Sequence, residues 1–460
     1  MLLDFQCYNF KSFQNGFDFI MTPYTRIKEL KNSLLKEKIG NNEEQALPVS
    51  AIYGANASGK TSVINAMSCM REIVLRGDIS NAIDNRSGDY VSANMTLIPF
   101  RFAIEKKPVQ FSVTFTHKNK KYAYFLSFMV GSFGDINHER YIDFEALYIN
   151  DKIIFERDRE KISTLSLEYI EDFLNLGGTP ENAQIIMSKN VAPLHLTLTT
   201  DFYSFCSKQI VDEIKDWFLT RFIIANSAYK GAFYSISPDV LNKSNIVIIN
   251  DMINKIAGEA GIIGSKLAYI SDMEHNQVRL VSLLRTGTKK NQFTPLDAEF
   301  IESLGTRRLV AIMPGIIYAL RNGAVLAIDE LDSSLHPMII MNLISLFHNS
   351  QVNKNRAQLI FNTHNPIYIW KQRTGGSRNL LRRDEIRFVE RDKNTKSSSL
   401  YALSDFKTNG VMSVRKTSDY MKNYFVNRYG AIENIDFTDI VLEAIENGDG
   451  EHVRRYEKTE

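Results

Sequence analysis

The sequence predicts an α/β fold: a mixed sheet around a phosphate-binding loop, an antiparallel β subdomain, and a mainly helical insertion. Three observations carry this. A complete G-x-x-x-x-G-K-[ST] loop fills residues 54–61. An apolar run at 49–53 leads into it, and a helical pattern with Ile64, Met67, Met70 and Val74 on one face leads out and stops at Gly77. Residues 109–157 alternate apolar and polar side chains in hairpin-sized units. After residue 300, helical patterns alternate with short continuous apolar runs, as in strands buried on both faces of a parallel sheet.

Taken in order, residues 1–23 read as two strands, with Leu3, Phe5 and Cys7 before the Asn15-Gly16 turn and Phe17, Phe19 and Met21 after it. Residues 24–46 are charged and predict helix. In the next region Phe111, Val113 and Phe115 alternate up to a turn at 117–121, and Tyr122, Tyr124, Leu126 and Phe128 alternate after it. A second hairpin runs through 144–149, turns at Asn150-Asp151 and returns through 153–155. Residues 160–262 read as helical and irregular, with no sustained heptad, and 277–285 as a strand. The domain division that follows is an N-terminal lobe at 1–159, a helical insertion at 160–270, a C-terminal lobe at 271–400 and a helical, partner-contacting region at 401–460.

The glycines of the loop let successive backbone N–H groups point inward, and the helix N-terminus adds its dipole, which makes a cradle for nucleotide phosphates. Gly54, Asn56, Ser58, Gly59, Lys60, Thr61 and Ser62 are therefore the candidate nucleotide ligands. Lys60 is suited to reach the β- and γ-phosphates, and the Thr61 hydroxyl to ligate Mg²⁺. The run at 324–330 ends in Asp329-Glu330, at the strand end where an open α/β sheet places ligands. Asp329 suits the Mg²⁺ shell beside Thr61, and Glu330 suits orientation and deprotonation of water. The run at 358–362 leads to His364, placed to hydrogen-bond a γ-phosphate. Ser303 and Gly305 open a helical pattern through Leu309, Ile312, Met313, Ile316 and Leu320. They read as a second anion site or as an ordinary N-cap. Gly323 ends that helix, and Pro314 predicts a kink or short break in it.

Bulk properties narrow the function classes. The chain has 460 residues, 44% apolar and 23% charged, enough for a substantial core in more than one lobe. A formal net charge of +2 argues against wholesale electrostatic capture of nucleic acid and leaves room for a local patch. Cys7, Cys69 and Cys206 are far apart and odd in number, so they suggest neither a disulfide framework nor a zinc site. With no stretch of 18 apolar residues and no signal-peptide pattern, a cytoplasmic protein without a membrane span is expected.

The ordered set of phosphate loop, Glu302-Ser-Leu-Gly-Thr306, Asp329-Glu-Leu-Asp-Ser-Ser-Leu-His-Pro337 and Thr363-His-Asn-Pro366 resembles an ABC-class ATPase of the RecF/SMC/OLD type. More narrowly, Asn9-Phe-Lys-Ser-Phe13, Leu380-Leu-Arg-Arg-Asp-Glu-Ile386 and Arg428-Tyr-Gly-Ala-Ile432 are similar to the AAA-family ATPases of bacterial abortive-infection operons, the RloA/AbiLi-like group. The resemblance implies an ABC-type head that uses ATP and Mg²⁺. It implies a homodimer or higher oligomer joined through an ATP sandwich, with Ser303 and Gly305 acting in trans. It also implies a nuclease-like effector encoded nearby and a role in anti-phage defence. The chain departs from the pattern at Ser-Leu-Gly-Thr for Ser-Gly-Gly-Gln, at His336 for an aspartate and at Glu433 for a proline, and it lacks a clear metal-sensing glutamine after the phosphate loop, Gln110 being the candidate.

A second reading is a RecF-like ATPase that clamps DNA. The late cations Lys371, Arg373, Arg378, Arg382, Arg383, Arg387, Arg415, Lys416, Lys422 and Arg428, interleaved with Tyr420, Tyr424 and Tyr429, fit nucleic acid or a docked protein. They equally fit a mixed solvated face, since Asp384, Glu385, Glu390 and Asp392 are interspersed. A transporter motor subunit is argued against by the missing glutamine-bearing signature and the large insertion before it.

Overall fold

The computed structural model describes residues 1–80, 97–102, 105–130, 140–170, 178–189, 191–225, 247–249, 251–261, 266–272, 277–285, 293–370, 379–408, 411–412, 414, 418–429, 437–438, 441–442 and 445. Strands β1 (Leu2–Tyr8) and β2 (Phe17–Ile20) pair antiparallel across the Asn15-Gly16 turn. A small hairpin follows, β3 (Leu35–Ile39) and β4 (Asn42–Ala46). This corrects the helix expected over 24–46. Leu35 and Ile39 are four apart and fit either period; the turn at Gly40, and burial of Leu35 and Ala46 against Met1 and Leu3, decide for strand.

Next come β5 (Val49–Tyr53), buried throughout, and helix α1 (Lys60–Arg76), which ends at Gly77 in the left-handed region. Val63, Ile64, Met67, Met70 and Val74 bury one face of α1 in the larger core cluster, against β6 (Val109–His117), β7 (Lys120–Met129), β8 (Tyr141–Ile149) and β9 (Lys152–Asp158). With β10 (Ile162–Leu165), β1 and β2, these four strands make a seven-stranded antiparallel sheet in the order β10-β9-β8-β7-β6-β1-β2. Its tight turns are those the sequence predicted: Lys118 and Asn119, then Asn150 and Asp151, all have positive φ.

Residues 160–262 are more mixed than the helical reading of them. Helices α2 (Pro180–Lys189), α3 (Asp201–Phe205) and α4 (Lys208–Asp216) lead to a π-helical turn, Trp217–Arg221. Strand β11 (Phe222–Ala225) then joins the nucleotide-side sheet, parallel to a strand a hundred residues later. A four-residue apolar run has no period to read, so only its pairing identifies it. Beyond it, β12 (Val247–Ile249), α5 (Asp251–Glu259), β13 (Lys266–Asp272), β14 (Gln277–Arg285) and β15 (Phe293–Asp297) form a four-stranded antiparallel unit.

Buried Glu145 ties α3 and its lead-in to the antiparallel sheet. It accepts from Tyr124 Oη at 2.7 Å and from the N–H groups of Thr197 and Leu198 at 2.8 and 3.1 Å, and it faces buried Arg157 at 3.7 Å. Arg157 in turn donates to the carbonyls of His195 and Ala192. Removing one charge leaves the other uncompensated, so Arg157→Ala is expected to destabilise the fold by about 3–5 kcal/mol, read from the urea midpoint.

After α6 (Ala298–Ile301), helix α7 (Leu304–Asn322) runs unbroken through Pro314 to Gly323. Then come β16 (Val325–Ile328), α8 (Pro337–His348), β17 (Gln358–Asn362), β18 (Ile386–Arg391), β19 (Ser398–Ala402) and α9 (Tyr420–Phe425). The second sheet has the order β11-β16-β17-β5-β18-β19 and is parallel except for its last pair. This is the mixed P-loop sheet with a separate antiparallel sheet that the sequence predicted. Registry puts Ile52 beside Asn362 and Ile328 beside Phe361, so β5, β16 and β17 end at one edge. Everything that follows each strand is delivered there. No described helix is long and apolar enough to cross a membrane.

Candidate functional site

The loop after β5 is held from behind. Ser398 Oγ donates to the Ser58 carbonyl at 2.5 Å, and a Cβ on Gly59 would stand 2.6 Å from Ser12 Oγ and 2.8 Å from Ser398 Oγ. Gly59 has φ 115° and Ala57 φ 59°, so the chain curls before α1 begins at Lys60. Asn56 is exposed, Ser58 is buried, and Ser62, in the first turn of the helix, donates its N–H to the Gly59 carbonyl at 2.9 Å. Lys60 Nζ lies over the loop and donates to the carbonyls of Gly54 and Ala55, both at 2.8 Å. Burial pushes its pKa down to about 8, against the pull of Asp329, Glu330 and Asp332.

Thr61 Oγ1 donates to Asp329 Oδ1 at 3.1 Å, which joins the loop to the end of β16. Asp329 is buried, and Asn362 at the end of β17 donates its amide to the same Oδ1. The Asn362 carbonyl oxygen accepts from the Glu330 N–H, so one side chain aligns both carboxylates. Glu330 is exposed and has φ 52°, a left-handed backbone that aims it away from the strand axis. Thr363 Oγ1 donates to Asp332 Oδ2 at 2.6 Å and accepts from the Asn365 N–H. His364 stands beside them, exposed. Partial burial and the Lys60 charge lower its pKa, with Asp332, Glu330 and Asp329 opposing, so the imidazole is neutral at pH 7.

Ser303 caps α7 by accepting from the Thr306 N–H at 3.1 Å, and the Gly305 Cβ position lies 2.6 Å from the Ser334 carbonyl. Arg308, one turn on, donates to the carbonyls of Asp329 and Glu330 at 3.3 and 3.1 Å. The start of α7 therefore packs on the loop that carries Glu330. Among the described residues no hydrogen bond joins Ser303 or Gly305 to residues 54–62.

Thr61 and Asp329 fit Mg²⁺, which takes one or two protein oxygens and completes its octahedron with water and phosphate. No group of three or more acidic, histidine or cysteine side chains that could hold a metal occurs among the described residues. The residues to which the sequence pattern assigns no role are Asn362, Arg308, Asp332 and Ser398. Asn362 alone carries a signal, as a polar group closing an apolar strand.

Two candidates fall elsewhere. Gln110 lies on β6 between Tyr8 and Ser127 and lines a cleft of about 850 Å³ that contains none of residues 54–62. The late cations, which in sequence suit a nucleic-acid surface, are largely interior. Arg382 is buried, pairs with Asp384 at 2.8 Å and donates to the carbonyls of Glu29 and Ile27. Arg383 pairs with Glu29 at 3.3 Å, and buried Arg387 donates to Ser50 Oγ and the Ile20 carbonyl. Tyr420, Tyr424 and Tyr429 are buried; Tyr424 meets Tyr53 and Phe388, and Tyr429 stacks on Phe388. Such rings cannot stack on bases. Of these late cations, among the described residues, only Lys422 and Arg428 are exposed. Lys371, Arg373, Arg378, Arg415, Lys416 and Glu433 lie outside the described residues. His336 is the exposed N-cap of α8, accepting from the Met338 N–H at 3.2 Å.

Over residues 49–369 the chain matches the family described as AAA domain, putative AbiEii toxin, Type IV TA system. Among solved structures it is similar to an SMC head bound to the C-winged helix domain of ScpA, with 13% identity, a TM-score of 0.40 and 90% and 99% of the two chains covered. It is similar also to the SMC head domain from Thermotoga maritima, with 13% identity, a TM-score of 0.34 and 87% and 98% covered. No curated protein matches it.

Proposed function

We propose, from the premise that this chain belongs to that AAA-domain family and is a P-loop ATPase, that it is an ATP-driven switch. Two copies close around ATP, and the Ser303 and Gly305 of each finish the nucleotide site of the other. The nucleotide state then holds or releases a nuclease-like effector encoded nearby, in cytoplasmic anti-phage defence of the RloA/AbiLi-like kind. The observation that supports composite sites is the placement of Ser303 and Gly305. Gly305 packs on the Ser334 carbonyl, and among the described residues neither Ser303 nor Gly305 hydrogen-bonds residues 54–62 of its own chain.

The residues divide the chemistry. Lys60 exchanges the Gly54 and Ala55 carbonyls for β- and γ-phosphate oxygens. Thr61 and Asp329 would hold Mg²⁺, which supplies neutralisation of charge on the phosphates. Glu330 orients the attacking water and takes its proton, while Asn362 and Arg308 fix its backbone. His364 offers an N–H to the γ-phosphate.

Complementation tests the composite site. Lys60→Ala and Ser303→Arg should each be inactive alone. In an equal mixture about half the pairs are mixed, each holding one intact loop opposite one intact Ser303, so about a quarter of the wild-type activity should return. Absence of any return on mixing would reject the arrangement in trans. The effector reading is tested by co-expression with the neighbouring gene, where nucleotide-dependent association is expected.

A pH effect follows from Lys60. Only its ammonium form grips phosphate, and ATP raises the pKa that burial has lowered. The sign is therefore affinity present below pH 8 and lost above it. ATP should bind about tenfold more weakly at pH 9 than at pH 7 by fluorescent-nucleotide titration, and Lys60→Arg should flatten that dependence.

A further inference from the structure

The parallel strands have a second end. Strands β16 and β17 carry Asp329 and His364 where they finish; where they start lies a separate cleft of about 380 Å³. Four segments distant in sequence each bring one cation to it. Lys118 comes from the β6–β7 turn, Arg221 from the end of the π-helical turn, Arg321 from the last turn of α7, and Arg356 from the entry to β17. Two carboxylates line the same space. Glu37 faces Arg356 at 3.4 Å, while Asp216 is shared between His117 at 3.0 Å and Lys118 at 3.9 Å.

Four cations against two carboxylates leave an excess of two positive charges. The guanidinium groups of Arg221 and Arg321 make no hydrogen bond or ion pair among the described residues. The excess is felt locally: besides burial, Lys118 and Arg221 lower the pKa of His117 against the pull of Asp216. The C-terminal dipole of α7 accounts for Arg321 alone. It does not account for Arg221, nor for convergence of four segments on one concavity in a chain whose whole net charge is only +2.

The lining also limits what can bind. Of its aromatic rings, Trp217 is buried and stacked on Phe115 at 3.9 Å and on Phe222 at 4.9 Å, and the His117 imidazole is buried against Asp216. A base would find no open aromatic face to stack on. Guanidinium groups, by contrast, match paired oxyanions in geometry as well as charge. We propose that this cleft is an anion site for phosphate groups, gripped by Arg221 and Arg321 with Lys118 and Arg356 in support, at the opposite end of the sheet from the ATP pocket. The phosphate belongs either to a free polyphosphate or to the backbone of a nucleic acid.

The test uses full-length Lys60→Ala protein, so that the phosphate loop contributes little, with and without Arg221→Gln and Arg321→Gln. Calorimetric titration with pyrophosphate, and anisotropy with a mixed-sequence 12-nucleotide DNA, form the two arms. The arginine pair should weaken binding about tenfold or more, with a shallower salt dependence than the parent. An effect confined to pyrophosphate identifies a free polyphosphate ligand; one confined to DNA identifies the backbone. If neither ligand binds the Lys60→Ala protein, or neither responds to the arginines, the site does not exist. Arg321→Gln alone, on an exposed turn, carries the same test should the double variant fail to fold.

Discussion

Lys60→Ala is expected to abolish ATP binding at ordinary concentrations. Lys60 supplies a flexible cation from within the loop itself, and it already sits on the Gly54 and Ala55 carbonyls. Losing charge-assisted contacts to two phosphates costs about 3 kcal/mol or more, roughly a hundredfold in affinity. The fold should survive, because the buried face of α1 comes from Val63, Ile64, Met67, Met70 and Val74. Isothermal titration on folded variant protein is the measurement, and an unchanged ATP affinity would remove the phosphate loop from the account.

The second large effect concerns Glu330. Glu330→Gln keeps the size of the side chain and its left-handed backbone but cannot accept a proton. ATP should bind as in the wild type, while hydrolysis falls by about 10²–10⁴-fold. Closed dimers should then accumulate with ATP, visible as a doubled mass in light scattering. Ordinary turnover by this variant would mean that another group takes the proton. A slow variant that stays monomeric in ATP would instead leave the chemistry standing and discard the paired arrangement.

Lys60 and Glu330 are both legible in the amino-acid sequence alone. The phosphate loop is local: eight contiguous residues specify the curl, the helix start and the lysine, so no distant partner is needed. Strands β5, β16 and β17 are legible as apolar runs because burial on both faces removes alternation, and the hairpin turns because only certain residues tolerate positive φ. The contact between Thr61 and Asp329, 268 residues apart, follows from the type of each motif.

The rest depends on partners that local patterns cannot name. Leu35 and Ile39 suit helix and strand alike until Met1 and Leu3 cover Leu35, and β11 is four residues without a period until β16 pairs with it. Arg382 looks like a surface cation in sequence; a backbone carbonyl 353 residues away makes it interior. Asn362 and Arg308 acquire their places only when strand registry brings two loops to one edge of the sheet. Contiguous chemistry travels with the chain, whereas burial and pairing of charge are set by whatever the fold packs against it.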